Sequence, residues 1–161
     1  MSQSTSLSTM RLIWSQMLFT PILLAGVGFV LHGTDAPMEQ GFPGAGDGEI
    51  NSQELVMTAA AVMSLTVAAL AGALVLRARR GQTIGYSEAL TALLVQWAMI
   101  EACGLMGFVI TMLSENPYKM LVFVVATWSG FASSFPTEER LRSAAEEAGA
   151  TWNPGSAGRA S

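Results

Sequence analysis

Residues Glu88 to Leu113 read EALTALLVQWAMIEACGLMGFVITML. Apart from Gln96, Glu101 and two threonines, the interior of this stretch is apolar or small. At about 1.5 Å per residue a helix of this length is roughly 39 Å long. That exceeds the hydrocarbon thickness of a bilayer, about 30 Å. Glu101 lies near the midpoint, where a charge is most costly. Hydrocarbon disfavours the ionised form of a carboxyl, so the neutral acid is the expected state there.

The rest of the chain has the same character. Of 161 residues, 51% are hydrophobic and 12% charged, against about 25% charged in soluble domains. The apolar residues fall in long runs, not in alternation. The expected class is all-α: an integral membrane protein of four transmembrane helices. The spans are expected at about 10–32, 54–77, 86–113 and 117–134. Residues 1–9 are polar and expected to be disordered. Pro136 ends the fourth span. A short cytoplasmic helix follows over 135–149, with Thr137 as N-cap, Gly149 as its stop, and Glu138 paired with Arg142. The tail 150–161 is expected to be disordered. Pro21 inside the first span should kink or loosen it.

Charge sorts by side. Arg11, Arg77, Arg79, Arg80, Arg140, Arg142 and Arg159 fall in the termini and the turn between spans two and three. The opposite loops carry only Lys119. The positive-inside rule then puts both termini in the cytoplasm, N-in and C-in.

Few features suggest chemistry. The single cysteine, Cys103, rules out an intrachain disulfide and a CxxC metal site. Asp47–Glu54 matches the latter half of an EF-hand loop, but Pro43 and Ala45 stand where the first acidic ligands belong. No metal, cofactor or enzymatic activity is expected, and nothing points to nucleic acid. His32, at the outer end of span one, is too far from Glu101 to relay protons directly.

Two constellations remain. Span two carries small residues at every fourth position, Ala60, Ser64, Ala68 and Gly72, a face that lets helix backbones approach closely. Such a face serves one neighbouring helix or a ring of identical helices. Span three carries Glu101, with Gly104 and Gly107 leaving room beside it. Ser64, Thr66 and Gln96 are candidate hydrogen-bond partners. Glu101 reads either as polar glue between helices or as a proton- or cation-binding group.

Spans two and three together resemble the hairpin of rotary ATPase c subunits, the proteolipids. Ala59–Gly72 matches the small-residue helix, Arg77–Gln82 the polar cytoplasmic turn, and Glu101-Ala102 with Gly104 and Gly107 the carboxyl segment. The resemblance covers about residues 55–113 and implies Glu101 as the ion-binding carboxylate. The whole chain also resembles small four-span bacterial membrane proteins with such a helix pair, which implies a multi-pass location in the bacterial inner membrane. The expected function is a non-enzymatic subunit or assembly partner of a membrane complex, or a small homo-oligomer. Its expected partners are membrane lipids and other membrane subunits. The alternative is a proton- or cation-translocating component.

Overall fold

The computed structural model describes residues 6–33 and 52–154. In chain order the elements are α1 (Leu7–His32), α2 (Ser52–Arg77), β1 (Thr83–Ile84), α3 (Tyr86–Ser114), α4 (Lys119–Ser133), α5 (Glu138–Glu147) and β2 (Thr151–Trp152). Most of the EF-hand-like segment lies outside the described residues.

Local chemistry sets several helix starts. The Thr9 N–H donates to Ser6 Oγ at 3.3 Å, so α1 begins inside the stretch expected to be disordered. The Glu88 carboxylate reaches back to accept the Gly85 N–H at 3.0 Å, closing the first turn of α3. Thr137 caps α5 by accepting the Arg140 N–H at 3.3 Å. Arg142 pairs with Glu146 at 2.8 Å, not with Glu138. Both acids lie one turn from Arg142, and exposed pairs of this kind exchange at little cost.

Three helices, α1, α2 and α3, are long and apolar enough to cross a membrane. The fourth expected span differs. α4 has 15 residues, about 22 Å. It reaches spanning length only together with α5, and that pair is bent by 80°. Pro136 sits in the break, and a proline cannot supply the N–H that would carry a helix through it.

α3 is the centre of the bundle. α1 runs parallel to it along a seam of sevenfold spacing. Trp97 packs in one cluster with Trp14, Gly104 faces Pro21, and Thr111 faces Gly28. A seven-residue repeat keeps one stripe of a helix facing its neighbour. α2 and α4 run antiparallel to α3. Gly72 lies against Ala92 and Gln96, while Ala61 joins Cys103, Ile110 and Phe123. On α4, Phe123 lies on Gly107, Thr127 on Gly104 and Gly130 on Ile100.

Indole N–H groups tie the helices together. Trp14 donates to the Phe131 carbonyl at 3.0 Å, and Trp97 to Ser134 Oγ at 3.1 Å. Trp128 donates to the Leu18 carbonyl at 3.1 Å. Leu18 adjoins Met17, whose carbonyl is left without its usual helical donor by Pro21. In an apolar medium such bonds replace water that is absent.

One end of the bundle is closed by α5 and the strands. Leu141, Ala145 and Ala148 pack on Met10, Leu76, Ile84 and Ala89. The strands pair in parallel, Thr83 with Thr151 and Ile84 with Trp152. Gly149, at φ +75°, makes the turn into β2, and the Gly81 N–H donates to its carbonyl at 2.9 Å. The first residues of the expected disordered tail are therefore ordered, because β1 offers an unpaired strand edge. The Tyr86 and Trp152 rings meet edge to face at 5.4 Å. Trp152→Ala is expected to release this clasp. Hydrogen exchange at the Thr151 and Asn153 amides should quicken while α1 to α4 stay protected. Unchanged exchange at those amides would show that the ring contact holds nothing.

Candidate functional site

Glu101 is half-buried at the middle of α3. It forms no hydrogen bond or ion pair with any described residue. Its position around the helix explains why. At about 100° per residue, Glu101 stands roughly 180° from Ala92 and 140° from Gln96, the residues that meet Gly72 on α2. The carboxyl is thus on the far side of α3 from the small-residue helix.

The candidate partners are engaged elsewhere. Ser64 Oγ donates to the Ala61 carbonyl at 2.8 Å and Thr66 Oγ1 to the Val62 carbonyl at 2.9 Å, each within its own helix. Gln96 packs its amide against Gly72, where an added Cβ would lie 3.2 Å from Oε1. Of the residues proposed to surround Glu101, only Gly104 adjoins it, one turn on. That glycine lets Pro21 and Thr127 close on α3, with contacts of 3.3 to 3.7 Å to a Cβ placed there. In the small-residue face, Ser64 and Ala68 are buried, with Ala60 and Gly72 half-buried. At least its Gly72 end is spent on α3 within the same chain.

What borders Glu101 is different. On one flank is α1: the register set by Gly104 and Pro21 puts Glu101 level with Leu18. On the other flank Ala98 and Leu105 are exposed, and with Leu94, Val95, Val109 and Leu113 they form an open apolar face of α3. His32 is fourteen residues beyond Leu18, about 21 Å along the helix, so it does not serve Glu101.

No protein family, curated protein or solved structure matches the chain. The site is therefore read from its own chemistry. Among the described residues no group of three or more His, Cys, Asp or Glu could hold a metal ion.

One polar residue escaped the sequence reading. Thr127 is fully buried, and among the described residues its Oγ1 has no oxygen or nitrogen partner within hydrogen-bond geometry. It lies beside Gly104 and the Cys103 thiol. A lone threonine in the run MLVFVVATWSG was the available signal. The seam of Trp14, Pro21 and Gly28 was also visible as a sevenfold spacing, but only pairing with Trp97, Gly104 and Thr111 gives it meaning.

Proposed function

We infer that this is a non-enzymatic, multi-pass protein of a bacterial inner membrane. It acts as a subunit or assembly partner in a membrane complex or a small homo-oligomer. Its topology is four spans with both termini inside, α4 completing the bundle. The gathering of Arg11, Arg77, Arg80 and Arg140 at the α5 end supports that orientation.

The observation that carries the reading is Glu101 itself: mid-helix, half-exposed, without a partner among the described residues, and bordering an open apolar face. An unpaired polar group in hydrocarbon costs several kcal/mol. A hydrogen bond to a helix of another subunit removes that cost and adds about 0.6–2 kcal/mol. A neutral glutamic acid donates such a bond, and glutamine offers a similar donor. In nanodiscs of defined size, the wild-type chain and Glu101→Gln are expected to run as the same assembly, and Glu101→Ala as a smaller one. A wild-type protein that stays monomeric alone and in its native membrane extract would defeat this reading.

A second reading rests on the same exposure. A carboxyl at the lipid-facing edge of a helix is open to protons and cations, as the resemblance to proteolipids implies. It predicts carbodiimide labelling of Glu101 that falls as pH rises and that cations suppress. It also predicts that Glu101→Gln abolishes function with the assembly intact. Labelling insensitive to cations, or a functional Gln variant, leaves the assembly reading alone.

A further inference from the structure

A gap remains beneath α5 where α4 ends. α4 stops at Ser133 and α5 turns away by 80°. The gap is a cavity of about 200 Å³ between the last turns of α2, the first turns of α3 and α5. Its walls include Ala73 and Leu76 from α2 and Ala89 and Leu93 from α3, all apolar. Its polar side chains are those of Arg77, Gln96, Ser133, Ser134, Arg140 and Glu147. Gln96 stands deep, beside Gly72, and Arg77, Arg140 and Glu147 line it further out. Both arginines are exposed, and neither pairs with a carboxylate among the described residues. The Arg140 guanidinium donates to the Phe135 carbonyl at 3.5 Å.

Depth and charge together select the occupant. α3 has 29 residues, about 43 Å, against a hydrocarbon core of about 30 Å. Its first turns therefore lie in the headgroup layer. Arg77 is five residues beyond Gly72, so it stands about 7.5 Å nearer the end of the bundle than Gln96 does. The cavity thus runs from two cations at headgroup level to a floor of Ala73, Ala89 and Leu93, with the Gln96 amide as its one polar side chain, at the level of the first methylene groups. Inorganic phosphate would leave that floor empty, and an uncharged apolar ligand would leave the guanidiniums unused.

We propose that this cavity is a specific site for one anionic phospholipid. Its phosphodiester binds between Arg77 and Arg140, and its glycerol backbone and first methylenes fill the space below. Guanidinium groups suit phosphate oxygens through paired N–H donors. Glu147 accepts hydrogen bonds from headgroup hydroxyls, so phosphatidylglycerol is the matching probe. The site is independent of Glu101 and of the state of assembly.

The test is native mass spectrometry on the delipidated full-length chain in non-ionic detergent, titrated with phosphatidylglycerol or phosphatidylcholine. One phosphatidylglycerol per chain is expected to bind about thirtyfold more tightly than phosphatidylcholine, each arginine at the membrane surface contributing about fivefold. The Arg77→Gln/Arg140→Gln pair should abolish that preference, and Arg142→Gln, outside the cavity, should leave it intact. Ala73→Leu fills the floor with both arginines present and should also lose the tight site. Far-UV circular dichroism checks that each variant keeps its helices, and a variant that does not is replaced by Ala144→Leu. Equal binding of the two lipids overturns the proposal, as does equal loss in the Arg142 variant. If glycerol phosphate competes as well as the intact lipid, the site is one for a soluble anion and the lipid assignment falls.

Discussion

Gly107→Ala is expected to pry α4 off α3. Phe123 lies across this glycine so closely that a methyl group there would overlap its Cβ and Cγ. The obstacle is the root of the side chain, not a movable tip, so a rotamer change does not relieve it. Phe123 is itself buried among Ala61, Cys103 and Ile110. The helices must separate, and overpacking of this kind costs about 1–3 kcal/mol, here at the upper end. Cys103 offers a native reporter. It is the chain's single cysteine, 1% exposed, one turn before Gly107 on the same face. Its reaction with a maleimide on heating follows the loss of this packing. The midpoint should fall well below wild type in Gly107→Ala. Gly26→Ala is the matched control, since nothing lies within 4 Å of a Cβ there. Equal midpoints for the two variants would mean that α4 does not depend on this contact.

The second large effect is expected at Trp97. It is fully buried where α1, α2, α3 and α4 meet, against Trp14, Met17, Ala68 and Phe131. Its indole N–H donates to Ser134 Oγ, just past the end of α4. Trp97→Ala removes the largest side chain of the core and should cost about 3–5 kcal/mol. Trp97→Phe keeps most of the volume and loses the hydrogen bond, for about 0.5–1.5 kcal/mol. The same cysteine assay separates them: Ala should drop the midpoint far more than Phe. If Phe is as damaging as Ala, the hydrogen bond to Ser134, rather than the volume, holds the end of α4.

These effects bear on the candidate site. Gly104, next to Glu101 by one turn, is where α1 and α4 close on α3. The packing that Gly107 and Trp97 secure therefore fixes which way Glu101 points. That direction was not readable in the chain. A carboxyl amid apolar residues marks depth, and depth alone made Glu101 a candidate. Whether it faced Ser64 and Thr66, or away from them, depended on which side of α3 each neighbour chose.

The sequence by itself determined that the chain is helical and apolar enough for a membrane, where α1, α2 and α3 run, and that Glu101 falls at the middle of α3. Those properties follow from composition and from 1.5 Å per residue, which act along the chain. It also marked Thr137 and Gly149, because caps and left-handed turns are local chemistry. Only the tertiary structure decided that α5 turns 80° from α4 and packs across the end of the bundle, that Thr151–Trp152 finds a strand partner, and that Glu101 has no hydrogen-bond partner among the described residues. Each of these depends on surfaces meeting between segments far apart in sequence. The glycines and proline that admit close contact do not name the side chain that will fill the space.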